Sequence, residues 1–276
     1  METIDRNVFN LPDPAITATL EKQIVKRVGS GVFEVDAADV YYRNLNQVVR
    51  NLVDGGAKKI VLRNVAGQRY IATNMEGQVE IEIHGTPGND LGSFMNGSTI
   101  TVFGNAQDGC GNTMNDGKIV VHGHAGDILG MSMRGGEIYI RDDVGYRVAI
   151  HMKEYMEKIP VLVIGGTSQD FFGEYMAGGI VILLGLTLGK GEKHRARFIG
   201  TGMHGGVIFL RGSVEEYQLG KEVGIREPDE NDRAKLERYI KEYARLFDKN
   251  ADEIFAGQFS KLLPVSKRPY GKLYAY

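Results

Sequence analysis

Five copies of one short pattern, G-x-x-M-x-[GD]-[GS]-x-[IV]-x-[VIL], lie between Asp90 and Gly212: "DLGSFMNGSTITVFG", "GCGNTMNDGKIVVHG", "ILGMSMRGGEIYIRD", "FFGEYMAGGIVILLG" and "FIGTGMHGGVIFLRG". Anchored on methionine they fall at Met95, Met114, Met133, Met176 and Met203. The long gap after Met133 is filled by Met156, with Val161 and Val163 in the phase of Ile100/Val102, and a weaker copy stands at Met75, its apolar Val79 and Ile81 shifted by one. Seven of the ten methionines then share a register with intervals of 20, 19, 19, 23, 20 and 27 residues.

Apolar residues at i and i+2 are strand periodicity, whereas a helix needs a 3.6-residue period. A repeat near 19 residues is too short for a βαβ unit. It suits one coil of a parallel β-helix, with short strands joined by tight corners. Right-handed crossovers are expected, with coils stacked at roughly 4.8 Å. Twenty-seven of the 37 glycines lie between Gly85 and Gly212, which fits corners that need positive φ. The methionines read as an interior ladder of flexible fillers. The structural set is Met95, Gly97, Met114, Gly117, Met133, Gly135, Gly136, Met176, Gly178, Gly179, Met203, Gly205 and Gly206; Gly178 and Gly179 are expected to make a corner rather than to cradle a phosphate.

The expected fold class is mainly β, a right-handed parallel β-helix of about six to seven coils. Residues 1–70 form an N-terminal α/β cap, 71–215 the β-helix and 216–276 the C-terminal helices and tail. In the cap, "DPAITATLEKQIVKRVG" reads as a helix with Asp13 as N-cap, Pro14 at its first position and Gly29 as its stop. "NLNQVVRNLVDGGA" is a second helix, with Asn44 and Gln47 at capping-box spacing, Leu45, Val48, Val49 and Leu52 on one face and Gly55-Gly56 at its end. "KKIVLRNV" is a strand. Beyond the coils, "EPDENDRAKLERYIKEYARLFDKN" is an amphipathic helix burying Leu236, Ile240, Tyr243 and Phe247. A short helix over 250–259 and an extended tail bearing Tyr270, Tyr274 and Tyr276 follow.

The 276 residues are 42% hydrophobic with a net charge of −2. That is enough for a sizeable core and gives no global field to recruit nucleic acid or an anionic membrane surface. No apolar stretch approaches the roughly 20 residues of a membrane span, and a single cysteine, Cys110, fits a reducing cytoplasm and precludes a multi-cysteine metal site in this chain. No G-x-S-x-G elbow occurs. Cys110 reads as an idle corner thiol, His122 and His124 on one side of a strand lack further metal ligands, and "VLVIGGTSQDFFG" imitates a phosphate loop without G-x-G-x-x-G or G-K-[ST]. "KGEKHRAR", residues 190–197, is a loop extruded from the stack, solvated, docking to an acidic partner surface or binding an anion. No catalytic, cofactor-binding or metal residue is assigned.

"EYMAGGIVILLG", "GTGMHGGVIFLRG" and "AQDGCGNTMNDGKIVVHG" closely resemble the GXGXG β-helix domain that ends the large subunit of glutamate synthase. The resemblance takes in the entering helix "ITATLEKQIVKR" and, more loosely, the closing "LLPVSKRPY". It implies a stand-alone, non-catalytic structural subunit with no cofactor of its own. Its implied partners are a glutamine amidotransferase subunit and an FMN-binding synthase subunit that carries iron–sulfur clusters and makes glutamate from 2-oxoglutarate; a homo-oligomer is also compatible. The sequence departs from that domain in its N-terminal segment and in the 145–160 insertion, and methylglutamate synthase uses the same design. The β-helix subunit of formylmethanofuran dehydrogenase resembles the repeat too. In a different class stands a carbohydrate-active β-helix enzyme, which needs clustered Asp or Lys/Arg on one outer face; Thr101, Val120, Tyr139, Ile182 and Phe209 are mixed there. A left-handed hexapeptide acyltransferase needs a six-residue period.

Overall fold

A computed structural model describes residues 14–265; the N-cap expected at Asp13 and the tail tyrosines Tyr270, Tyr274 and Tyr276 lie outside them. The chain is a β-solenoid. Helix α1 (Pro14–Ile24) leads into an antiparallel pair, β1 (Val25–Gly29) and β2 (Val32–Asp36), turned at Gly31 with φ 72°. Gly29 therefore ends a strand, not a helix. The run "IVKRV" satisfies helical spacing, but its β-branched residues and the flanking Gly29 and Gly31 favour a hairpin, and pairing with β2 decides it.

Helix α2 (Tyr42–Asp54) crosses from β2 to β3 (Lys59–Ala66), which pair in parallel. Its buried face is Leu45, Val48, Val49 and Leu52, it ends at Gly55, and it closes one end of the interior. The helix starts at Tyr41 with no side-chain cap, so the capping box expected at Asn44 is not formed. Strands β4 (Glu80–Thr86), β5 (Asn96–Phe103), β6 (Asp116–Val121), β7 (Glu137–Ile140), β8 (Val161–Ile164), β9 (Ala177–Leu183) and β10 (Gly205–Arg211) follow in parallel, each beside its predecessor. The register sets Ile60, Ile81, Ile100, Ile119, Ile138, Leu162, Val181 and Ile208 in one buried column.

Two sequence expectations are corrected in coil five. Met156 is 83% exposed, and the ladder residue is Met152, fully buried like Met95, Met114, Met133 and Met176. Leu162 and Ile164, not Val161 and Val163, face the interior, since Leu162 pairs with Ile138 and Val181. The cause is local: Ala149 occupies the place of the pattern glycine, and five extra residues between Lys153 and Pro160, which both keep their hydrogen bonds to neighbouring coils, make room for a second methionine that imitates the register.

The outward face of the same sheet changes character along its length. Val61, Glu82 and Thr101 give way to Val120, Tyr139, Val163, Ile182 and Phe209, which form a second core with Leu236, Ile240, Tyr243 and Phe247 of α3 (Glu230–Phe247). Asp229 caps α3 in a reciprocal box with Asp232. Helix α4 (Ala251–Phe255) stops short of the expected Phe259, which instead opens β12 (Phe259–Pro264). β12 pairs antiparallel with β10 and with β11 (Val223–Arg226), closing the other end with strands the sequence reading placed among helices.

Candidate functional site

Each coil turns through one recurring corner. In Tyr70/Ala72/Asn74, Asp90/Gly92/Phe94, Gly109/Gly111/Thr113, Ile128/Gly130/Ser132, Arg147/Ala149/His151, Phe171/Gly173/Tyr175 and Phe198/Gly200/Gly202, every alternate residue has φ between 51 and 71°. The alternation points successive N–H groups at opposite neighbours. Gly111 N–H donates back to Leu91 O, while Gly109 and Thr113 N–H donate forward to Asp127 O and Met131 O. The middle position faces the interior and favours glycine, because a Cβ on Gly111 would come within 2.3 Å of the Ile138 δ-methyl. On the last coils, side chains at the outer two positions stack on their counterparts one coil on.

That stacking builds an outer face on the last coils. Arg147 lies over the Phe171 ring, 5.0 Å from its centroid, and Phe171 stacks on Phe198 at 4.9 Å with 11° between planes. In the second column His151 stacks on Tyr175 at 5.3 Å and 9°, and the far side of the Tyr175 ring lies against Gly202. Tyr175 and Phe198 are 46% and 47% exposed. Their cations are tied to deeper acids: Arg147 bonds Glu174 at 3.0 Å and Arg197 bonds Asp170 at 3.3 Å. Left-handed backbone costs a non-glycine residue roughly 1–2 kcal/mol, so Phe171, Tyr175 and Phe198 hold their places against their own propensity. The sequence reading missed this face; its signal is bulky residues both two before and two after the pattern position in successive copies, where the earlier copies mix them with small ones, as in Asp90/Phe94, Gly109/Thr113 and Ile128/Ser132.

A second ladder, also missed, lies beside the same corner, Asp108, Asp127 and Asp170 standing just before Gly109, Ile128 and Phe171 in the chain. Asp108 Oδ1 accepts from Asp127 N–H, Asp127 Oδ1 from Tyr146 N–H, Asp143 Oδ1 from Thr167 N–H and Asp170 Oδ1 from Arg197 N–H, at 2.7–2.9 Å. Gly126, Gly145 and Gly166 leave room for these carboxylates, which a Cβ would meet at 2.1–2.2 Å.

The structural set divides by role. The ladder methionines are buried. Gly97, Gly117, Gly136, Gly179 and Gly206 have φ from 78 to 113°. Gly135, Gly178 and Gly205 lie against the preceding coil's backbone, at 2.4, 2.6 and 2.1 Å from where a Cβ would stand. The phosphate-loop imitation is fully spent on the fold. Gly165 N–H donates to Ile140 O, Gly166 N–H to Asp142 O and Thr167 N–H to Asp143, while Gly165 is where the Tyr243 hydroxyl rests against the chain. Cys110 is buried, and burial pushes its thiol up to about 12, which suits neither a nucleophile nor an iron–sulfur ligand. His122 and His124 follow the end of β6 rather than lying within it: His122 stacks on Phe103 and meets Phe247 edge to face, its pKa lowered by burial and then by Arg141, and His124 is exposed. Within 190–197, His194 and Ala196 are buried and the charged residues are exposed. Among the described residues no group of three or more His, Cys, Asp or Glu could hold a metal ion, and no helix is long and apolar enough to cross a membrane. The cleft of about 440 Å³ between α3 and β6–β7 has its charges paired, with Lys118 and Arg245 both on Glu242.

The model of one family, the GXGXG motif, matches residues 45–265. The chain belongs to the GXGXG motif family. This GXGXG chain is 52% identical over 249 residues to "Uncharacterized protein MJ1350" of Methanocaldococcus jannaschii, covering 87% of the chain and 95% of that protein. Its solenoid is also similar to a chain in the crystal structure of the formyltransferase/hydrolase complex FhcABCD from Methylorubrum extorquens in complex with methylofuran, with a TM-score of 0.57 at 16% identity over 84% of this chain and 96% of that one. At that identity the likeness is one of fold.

Proposed function

We propose that this chain is a structural subunit of a glutamate synthase-type complex, holding a glutamine amidotransferase subunit and an FMN-binding synthase subunit and contributing no catalytic group. The observation that carries the reading is where its polar chemistry goes. The aspartate ladder, the corner N–H groups and the glycine-rich loops are consumed in joining one coil to the next, and the lone thiol is buried. What faces outward is a stacked, partly apolar surface, the composition of an interface rather than of a reaction site. On this reading FMN and the iron–sulfur clusters belong to the synthase subunit and the complex is cytoplasmic.

A second reading, a β-helix subunit of a formyl-transferring complex, is favoured by the fold shared with the FhcABCD chain. A carbohydrate-active enzyme is less supported, because α3 and α4 occupy the outer sheet face from β6 to β10. Co-expression with the amidotransferase and synthase subunits tests the first reading. All three are expected to co-elute, flavin absorption to appear in the complex and not in the isolated chain, and glutamate to form from glutamine and 2-oxoglutarate. Failure to associate with these two, together with association with a formyltransferase, would establish the second.

A further inference from the structure

The corner face of the last three coils pays twice for its aromatic rings. Phe171, Tyr175 and Phe198 adopt φ of 64, 52 and 59°, a conformation that Gly109 and Gly202 supply without strain at equivalent places. Tyr175 and Phe198 also remain nearly half exposed, so neither the backbone nor the interior explains them. Strain of this kind is retained where the side chain is needed.

Among the described residues, part of the solenoid's surface is already covered, while the outward side of β3–β5, with Glu82 and Thr101, is not. Helices α3 and α4 cover the sheet face from β6 to β10, α2 closes one end and β11–β12 the other. The corner face also has a definite charge. Arg147 exposes 49% of its side chain and its partner Glu174 only 9%; Arg197 exposes 62% and Asp170 21%. Guanidinium edges therefore meet solvent while the carboxylates that orient them stay beneath, and arginine beside stacked aromatic rings is the composition of interface hot spots.

We propose that this face, centred on Arg147, His151, Phe171, Tyr175, Arg197 and Phe198, is the docking surface for a separate protein subunit that meets it with an apolar patch rimmed by carboxylates. The inference rests on the structural-subunit reading and adds the side of the solenoid on which the partner sits. Oriented guanidinium groups pair with carboxylates in fixed geometry, and the stacked rings supply flat apolar area at little cost in side-chain entropy.

The test uses the complex purified from its native cells through a tag on this chain, compared with the isolated chain by hydroxyl-radical footprinting. Protection of peptides spanning 147–153, 171–175 and 197–203 is expected, with Tyr41 and Phe103 unchanged. A carbodiimide, which joins lysine amines to carboxylates, is expected to link Lys153 or Lys193 to aspartate or glutamate of the other polypeptide. Phe198→Gly relieves the left-handed backbone while removing the ring, so it is expected to keep the melting temperature and weaken the complex. The double reversal Arg147→Glu, Arg197→Glu is expected to weaken it by about tenfold or more. Protection confined to another face, with the corner face still reactive, overturns the docking surface and leaves the structural-subunit reading standing. Protection of the corner face by a second copy of this chain overturns the heterologous partner. Recovery of the chain alone overturns both.

Discussion

Gly92, Gly111 and Gly173 each leave a notch for the δ-methyl of an isoleucine two strands on: a Cβ would stand 2.8 Å from Ile119, 2.3 Å from Ile138 and 2.6 Å from Ile208. In coil five the middle corner residue is Ala149, at φ 60°, and the strand residue in the corresponding place is Val181, which has no δ-carbon. Residue identity is thus set jointly by corner and strand. Gly111→Ala is expected to destabilise the protein by about 1–3 kcal/mol through overpacking and left-handed strain, seen as a lower urea midpoint. Val181→Ile is expected to cost a similar amount in the native background and much less when combined with Ala149→Gly; equal costs in both backgrounds would refute the notch. Met114→Ala, which opens a void in the fully buried ladder, is expected to cost about 2–5 kcal/mol in the same assay. The ladder itself was legible in the methionine spacing. Its fifth rung was missed although Met152 stands 19 residues after Met133, because Ala149 replaces the pattern glycine there and Val161 and Val163 stand in strand phase with Met156 instead.

At the scale of elements, the amphipathic pattern of α3 announced its buried face, and the switch of outward strand residues from Glu82 and Thr101 to Val120 and Tyr139 marks where that helix lies. What the pattern hid was the loop that receives it. Gly165 resembles a phosphate-loop glycine, yet its missing side chain makes space for the Tyr243 hydroxyl, which donates to Arg141 O at 2.8 Å. Strands β11 and β12 were hidden for a different reason: "VGIR" and "FSKLLP" are short and lack strict alternation, and pairing with β10 decides them. The charge cluster on α3, made chiefly within the helix and only secondly with Lys118 of β6, also carries a pH dependence. A hydrogen bond from Arg245, opposed by burial and reinforced by Lys118, holds Glu242 down to about 2 against an ordinary 4.5. A carboxylate depressed in the folded state stabilises it above the unfolded pKa and loses that contribution as pH falls through the folded one, so the window runs from about 4.5 down to about 2. Glu242→Gln is expected to flatten the stability profile in that window and, after allowance for solvent screening, to cost about 1 kcal/mol at neutral pH.

At the scale of the molecule, parallel coils with a shared interior make a long, rigid body whose two ends and one face are covered by its own helices and strands. Successive coils are held by backbone hydrogen bonds and by the aspartate ladder, so the body is suited to keeping other proteins at fixed separation. The solenoid class was readable from periodicity alone, whereas the exposed face was not, since stacking between residues 24 and 27 apart, as in His151–Tyr175 and Phe171–Phe198, appears only once the coils are in register. On the proposed role, the solenoid holds the subunits of a glutamate synthase-type complex together and contributes no catalytic group. The most direct measurement is glutamate formation from glutamine and 2-oxoglutarate by the amidotransferase and synthase subunits with and without this chain, with flavin followed by absorption. The account predicts coupled turnover only when the chain is present, with the flavin bound to the synthase subunit throughout. Flavin bound to the isolated chain, or full coupled turnover in its absence, would contradict it.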